Sequence, residues 1–198
     1  MATQLAVHPV TPDRWDDLAT LFGERGASSG CWCMFFRLTS SEFGDQAGAA
    51  AREGLRGLVR SGAVPGLLAY WEGRPVGWCS VAPREEFRRV LRSPILRPVD
   101  DRPVWSVVCF YIDRTARRRG VAERLLDAAI QHAATAGAEA LEGYPRDTTG
   151  RQYPNAELYV GTVSMFEAAG FHEVERRSPT RPIMQLELRP GAGPPAAA

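Results

Sequence analysis

The residues with the clearest chemical potential are three consecutive arginines, Arg117, Arg118 and Arg119, followed by the small residues Gly120 and Ala122. They stand where an apolar run ends and a helical pattern begins. A helix N-terminus presents free N–H groups and a partial positive charge, so cations there are disfavoured unless an anion is bound. The combination favours a site for a multiply charged anion such as a pyrophosphate. Solvated charges and contacts with a DNA backbone are the alternatives.

The elements on either side of the arginines form one βαβ unit. Residues 104–112 are a nearly continuous apolar run, which indicates a strand buried on both faces. Residues 118–136 place their apolar side chains on one stripe at the helical period, and Gly137 suits the C-terminal cap. A second strand is predicted at 138–144, and it should run parallel to the first.

The rest of the chain alternates between apolar patterns and turn signals. Thr39 and Glu42 are spaced as a capping box, so a helix should begin there and extend to about residue 60. Glu72-Gly73-Arg74 predicts a tight hairpin. The other predicted elements are strands at 4–10, 66–71, 75–82, 171–177 and 182–188, helices at 12–22, 84–92 and 163–169, and a long loop at 145–160.

Length and composition predict a globular protein with one domain at residues 1–189. Of its 198 residues, 44% are hydrophobic and 24% charged. Residues 190–198 are rich in Pro, Gly and Ala and are predicted to be a disordered tail. The net charge of +1 gives no general attraction to nucleic acid or anionic membranes. With no long apolar run and a poor match to a signal peptide, a cytoplasmic location is expected.

All 24 basic residues are arginine, so a lysine can serve neither as base nor as Schiff-base former. The four cysteines include a Cys31-x-Cys33 pair, in which a disulfide would be strained. The three histidines are scattered, so no metal site is predicted. Free thiols are expected, and whether Cys31 and Cys33 are redox-active is left open.

Three motifs resemble those of the GCN5-related N-acetyltransferase (GNAT) superfamily. Arg117-x-x-Gly120-x-Ala122 is similar to its signature Arg/Gln-x-x-Gly-x-Gly/Ala. The segments 72–78 and 164–171 resemble its hairpin and its closing helix with Gly-Phe, and the resemblance covers roughly residues 4–188. It implies an α/β (α+β) fold, the GNAT fold: a mixed, mostly antiparallel sheet of six to seven strands with a splayed parallel central pair, flanked by helices.

The resemblance also implies acetyl-CoA as the co-substrate. The strand before the signature would bind the pantetheine arm through its backbone, and the signature turn would hold the pyrophosphate. The thioester would lie in the gap between the splayed strands, where a backbone N–H stabilises the oxyanion, and the amine would enter from the opposite side. The predicted cofactor-binding residues are Phe110, Tyr111, Ile112, Arg117, Arg118, Arg119, Gly120, Val121 and Ala122.

The catalytic residues are less well defined by the same resemblance. Glu142 lies on the strand that should line the gap, so its carboxylate is the predicted base, unless strand alternation turns it toward solvent. Phe166 occupies the position of the family's tyrosine acid and cannot donate a proton, so it is interpreted as a core residue. Tyr159 and Ser164 are the candidates to replace that acid.

Acceptor recognition should come from two variable segments. Residues 31–36 are unusually apolar for a connection, and the 145–160 loop is long enough to act as a lid. The alternatives are a core segment and a surface insertion. The predicted substrate-binding residues are Trp32, Cys33, Phe35 and Tyr144.

The predicted function is therefore an acetyl-CoA-dependent N-acetyltransferase that acts on the primary amine of a small molecule by direct attack. Aminoglycoside-like antibiotics, polyamines and amino-acid derivatives are all open as acceptors. The alternatives are a protein or peptide N-acetyltransferase, a non-catalytic CoA-binding sensor and, more remotely, a nucleic-acid binder. We expect neither nucleic acid nor membrane as a partner, and a homodimer is left open.

Overall fold

The fold is a single seven-stranded mixed sheet in the order β1-β2-β3-β4-β5-β7-β6. The computed structural model describes residues 5–188. Only β4 and β5 pair in parallel; the other neighbours are antiparallel. This confirms the predicted fold class and the parallel βαβ unit. The strands are β1 Leu5–Pro9, β2 Gly66–Trp71, β3 Arg74–Pro83, β4 Trp105–Ile112, β5 Ala140–Gly143, β6 His172–Glu175 and β7 Ile183–Glu187.

Helices cover both faces of the sheet. One face packs against α5, whose apolar stripe includes Leu125, Leu126 and Ala129, and against α6. The other face packs against α1, α3 and the turns around Trp32, and farther along against the α4 region. The helices are α1 Trp15–Phe22, α2 Ser40–Gln46, α3 Ala49–Arg60, α4 Arg88–Leu91, α5 Val121–Thr135 and α6 Val163–Ala168.

Several predicted helices are shorter in the structure because the backbone turns away near their ends. The helix predicted at 118–136 begins at Val121, since Arg118 and Gly120 adopt positive φ angles of 60° and 74°. The helix after the Thr39 capping box, which is confirmed, breaks into α2 and α3 at Gly48, where φ is 87°. A 3-10 turn at Pro12–Arg14 precedes α1.

The tight hairpin at Glu72 and Gly73 is confirmed, with both residues at positive φ. The segment 31–36 is a series of turns and contains neither strand nor helix. The predicted tail at 190–198 lies outside the described residues. No helix within residues 5–188 has the length and apolar character needed to cross a bilayer.

Candidate active site

The central feature of the site is the gap that opens between β4 and β5. The two strands pair only from Trp105 to Val107 on β4 and from Leu141 to Gly143 on β5. β4 then continues to Ile112, whereas β5 has ended. The register between β3 and β4 shifts by one residue just before Cys109, which is a bulge that bends β4 at this point. The second half of β4 therefore has one edge free of β5.

The free edge of β4 holds one well-defined backbone donor. The N–H of Phe110 donates to the carbonyl oxygen of Tyr159 over 2.6 Å between the heavy atoms. Tyr159 belongs to the long loop after β5, and Gly161 packs closely against Phe110 and Phe166. The loop thus lies in the gap. There the Tyr159 carbonyl oxygen accepts a hydrogen bond from the strand where the family resemblance would place a bound thioester.

The arginine turn leads from the end of β4 into α5. Asp113 caps the turn by accepting from the hydroxyl and the N–H of Thr115, and these two hydrogen bonds hold the pKa of Asp113 below its usual range. Gly120 precedes α5 in a left-handed conformation, and no side chain caps the first turn of the helix. The first N–H groups of α5 are therefore available to a ligand.

The three arginines of this turn are exposed and lie around the helix start. Arg117 donates from Nε to the carbonyl oxygen of Ile112 over 3.2 Å, and the guanidinium of Arg119 lies 5.3 Å from the ring centre of Trp71. Within residues 5–188 none of the three forms an ion pair with a carboxylate. An anion at the start of α5 would meet both their charge and the helix dipole.

Glu142 lies on the face of the sheet opposite α5 and is closed to solvent, with 0% of its surface exposed. Its carboxylate accepts from the Arg84 guanidinium at 3.2 Å, from Gln185 at 3.3 Å and from the Tyr144 hydroxyl at 3.1 Å. Burial raises the pKa of this carboxyl above its usual range, and the Arg84 charge opposes the shift. The Tyr144 hydroxyl also meets that of Ser106 at 3.0 Å.

The sequence contains no local signal for the partner of Glu142. Arg84 belongs to the segment 84–92, for which the sequence predicts a helix, and its charged side chain is buried. Its Nη2 donates to the carbonyl oxygens of Asp100 and Arg102 at 2.9 and 2.7 Å. Arg84 therefore ties the proline-containing 93–103 loop to the carboxylate on β5.

The two residues considered as replacements for the tyrosine acid lie in different surroundings. Tyr159 is half-buried, with its ring against Phe35 and Phe36, and burial raises its pKa. Ser164 is exposed at the start of α6, and its hydroxyl meets that of Thr162 at 3.1 Å.

Phe166 itself is fully buried, as expected for a core residue. Its ring packs edge-on against Phe171 and covers Gly143, where a Cβ atom would come within 2.0 Å of it. This contact brings α6 close to the end of β5.

Of the predicted acceptor residues, three are core residues in this structure. Trp32 stacks on Trp15 and meets Phe22 edge-on, and it is buried together with Cys33. Tyr144 is buried beside Glu142. Their packing accounts for them without a bound acceptor, so their role in binding stays a prediction.

Phe35 differs, because it lines a pocket of about 470 Å³ on the face opposite α5. The guanidinium of Arg89 covers its ring at 4.0 Å from the centre. The chemically most distinctive lining residues are Phe35, Phe36, Arg89, Arg92, Tyr159 and Arg181. No sequence motif includes Arg89, Arg92 or Arg181, so the sequence alone gives no signal for them.

The cysteines are free, and three lie near one another. The sulfurs of Cys33 and Cys109 are 3.9 Å apart, and burial raises the pKa of Cys33. A hydrogen bond with Cys33 lowers the pKa of Cys31 to about 6. The Cys31 thiol also donates to the carbonyl oxygen of Gly26 at 3.2 Å, which favours the protonated form. Among the described residues, no group of His, Cys, Asp and Glu side chains is arranged to hold a metal ion.

Comparison with known proteins assigns this arrangement to a family. The sequence profile of the acetyltransferase (GNAT) family matches residues 32–159, which is more than half of the chain. A search of curated protein sequences found no relative with significant similarity. The match includes the gap, the arginine turn and α5, and it ends at Tyr159.

Solved structures with the same fold are similar over nearly their whole length. A ribosomal-protein-alanine N-acetyltransferase from Brucella melitensis is 18% identical, with 92% of this chain and 99% of that chain covered and a TM-score of 0.51. The paiA N-acetyltransferase from Thermoplasma acidophilum, in complex with coenzyme A, is 13% identical; 93% of this chain and 99% of that chain are covered, and the TM-score is 0.53. A polyamine N-acetyltransferase from Drosophila melanogaster is 14% identical; 93% of this chain and 100% of that chain are covered, and the TM-score is 0.54. The chain therefore belongs to the GNAT family of acetyltransferases, which use acetyl-CoA as the acetyl donor.

Proposed function

We propose that this enzyme transfers the acetyl group to the primary amine of a small molecule by direct attack of the amine on the thioester. The observation that carries the proposal is the pocket of about 470 Å³ beside the gap, on the face of the sheet opposite α5. A pocket of this size suits a small molecule. A peptide or protein acceptor would need an open groove along the sheet.

The donor half of the site supports the same reaction. The pyrophosphate of acetyl-CoA would bind at the start of α5, where free N–H groups and three unpaired arginines meet. The thioester oxygen would accept from the N–H of Phe110 and would be stabilised there as negative charge develops. The Tyr159 carbonyl oxygen has to leave this donor first, because it accepts the same hydrogen.

Glu142 remains our proposed base. Its raised pKa favours proton uptake closer to neutral pH than an ordinary carboxylate would allow. The carboxylate and the hydroxyls of Tyr144 and Ser106 beside it are all closed to solvent, so proton transfer to Glu142 requires this region to open when the substrates bind. For the acid, Tyr159 is favoured over Ser164: its ring lines the pocket, and a raised pKa keeps its hydroxyl protonated.

The test is an acceptor screen that follows release of free CoA thiol. We expect turnover with at least one small amine. We expect no turnover with peptides that do not contain that amine. Self-acetylation of lysine cannot contribute background, because the chain contains no lysine. Turnover with peptides alone would contradict the small-molecule assignment.

Glu142→Gln tests the proposed base. The variant should lower the rate and remove one limb of the pH profile of the enzyme; an unchanged profile would contradict the role of Glu142 as base.

One observation favours a second function, a CoA-binding sensor without catalysis. Phe166 fills the position of the usual tyrosine acid and is fully buried. Calorimetry distinguishes the two functions. Binding of acetyl-CoA without turnover across amine and peptide panels would favour the sensor, and turnover would exclude it.

A further inference from the structure

The proposed acceptor pocket has an uneven charge. Three arginines line it, Arg89, Arg92 and Arg181, whereas no carboxylate does among the residues that form its wall. Its remaining walls are largely apolar and include Phe35, Phe36 and Leu96. Positive charge in a partly enclosed pocket attracts anions and repels cations.

Among the described residues that line the pocket, Arg181 is the arginine with a buried donor that has no partner. Its Nε donates to the carbonyl oxygen of Tyr144 at 3.1 Å, which fixes the guanidinium at the end of β5. Its Nη2 is buried and has no hydrogen-bond partner in the described structure. Burial lowers the pKa of Arg181; the neighbouring Tyr159 side chain opposes this shift, and the charge of Arg146 adds to it. A buried donor without a partner is costly, so the site is incomplete without an acceptor atom.

Of the other arginines nearby, Arg92 is exposed at the pocket wall, whereas Arg89 and Arg146 form bonds with the protein. Arg89 donates to the carbonyl oxygens of Phe35 and Thr39 and to the hydroxyl of Ser40. Arg146 forms an ion pair with Glu157 at 3.5 Å. Both therefore add positive charge near the pocket. The Nε of Arg146 is also buried without a partner among the described residues, but Arg146 does not line the pocket wall. Arg181 alone combines a wall position with an unpaired buried nitrogen in the part of the chain that the structure describes.

The pocket and the gap are joined by a single residue. The ring of Tyr159 forms part of the pocket wall, whereas its carbonyl oxygen lies on the N–H of Phe110 in the gap. The separation between them is therefore the span of one residue. A small amine held at Arg181 by one end can direct its nitrogen toward the gap.

We infer that the acceptor carries an anionic group close to its amine, as an amino acid with an apolar side chain does, and that Arg181 binds this group. The inference deepens the proposed function and rests on it. A carboxylate or a phosphate would accept two hydrogen bonds from the planar guanidinium. The same charge disfavours polyamines and aminoglycosides, which are polycations.

The experiment compares matched acceptors with the full-length enzyme. The panel contains apolar amino acids, their carboxamides, their decarboxylated amines and the corresponding aminophosphonates. A charge-assisted hydrogen bond predicts that kcat/KM is about 10- to 100-fold higher for the acids than for the amides. The aminophosphonates show whether carboxylate or phosphate is the better fit. Equal kcat/KM for acids, amides and amines would overturn the inference.

Variants assign the preference to Arg181. Arg181→Gln should remove it by lowering kcat/KM for the acids alone, and Arg181→Lys should keep part of it, since the charge remains. Arg60→Gln, an exposed arginine at the end of α3, is the matched control and should keep the full preference. An equal loss for acids and amides in Arg181→Gln would mean that Arg181 only supports the fold.

Failure of the inference can be told apart from failure of the proposed function. If acetyl-CoA binds but no amine is acetylated, the proposed function fails. Calorimetry with N-acetylated apolar amino acids then decides the inference by itself. Binding to the wild type that is lost in Arg181→Gln supports it, and absence of binding to the wild type overturns it.

Discussion

Replacing Arg84 by methionine tests the buried network most directly. Arg84 is buried, its guanidinium lies 3.2 Å from the Glu142 carboxylate, and two carbonyl oxygens accept from its Nη2. The variant keeps similar side-chain bulk but leaves the carboxylate buried without its cation. Removing one partner of a buried pair costs about 3–5 kcal/mol. We expect a loss near the middle of this range, about 4 kcal/mol, which is roughly a thousandfold in the unfolding equilibrium.

Urea denaturation measures this loss. With a slope of about 2 kcal/mol per molar urea, the midpoint should fall by about 2 M. Arg102→Met is the matched control, because Arg102 also contacts carboxylates, those of Asp100 and Glu187, but at the surface. Exposed pairs contribute about 0–1 kcal/mol. The reasoning is refuted if the two variants lose similar stability.

The loss in Arg84→Met should also depend on pH. Without the arginine, burial raises the pKa of Glu142 further above its unfolded value, because the opposing charge is gone. A carboxyl with a raised folded pKa contributes stability that is complete below its unfolded pKa and is lost as pH rises through the folded one. The deficit relative to the wild type should therefore grow once the pH rises above the folded pKa of Glu142 in the wild type, which burial already holds above the usual carboxyl range. A second change, Glu142→Gln, should recover part of it at neutral pH.

Three further predictions concern the cofactor turn, the closing helix and the thiols. Arg117→Ala and Arg119→Ala should each weaken acetyl-CoA binding in calorimetry and reduce its dependence on salt, since both arginines are exposed at the start of α5; unchanged affinity would contradict the anion site. Phe166→Tyr should not raise kcat and should cost about 1–3 kcal/mol in urea denaturation, because the new hydroxyl is buried; a faster enzyme would show that an acid had been missing. Cys31 should react with iodoacetamide with a midpoint near pH 6 and Cys33 should stay unmodified, as mass spectrometry of labelled peptides can show; equal labelling would contradict the shifts.

The fold and the position of the arginine turn between β4 and α5 could be predicted because their signals are local. The apolar run before the arginines and the stripe on α5 fix a βαβ unit by periodicity alone. The helix start was wrong by three residues, because Arg118 takes a positive φ that no pattern of residue types indicates.

The acceptor side could be predicted only in part because its contacts are distant in sequence. Phe35 and Arg89 are 54 residues apart, and Arg84 and Glu142 are 58 apart. Apolar character alone did not separate Phe35, which lines the pocket, from Trp32, which packs in the core. Both are aromatic residues in the same short segment, and only the tertiary structure gives them different neighbours.

The position of Tyr159 has a consequence for the order of the two substrates. Its carbonyl oxygen accepts the hydrogen bond from the N–H of Phe110 in the gap, and its ring forms a wall of the pocket. In the proposed mode of binding, acetyl-CoA displaces this carbonyl oxygen, and the pocket wall should move with it because both groups belong to one residue. We therefore expect the free enzyme and the enzyme with bound acetyl-CoA to present different surfaces to the acceptor amine. Steady-state kinetics should accordingly be sequential and ordered, with acetyl-CoA binding before the amine.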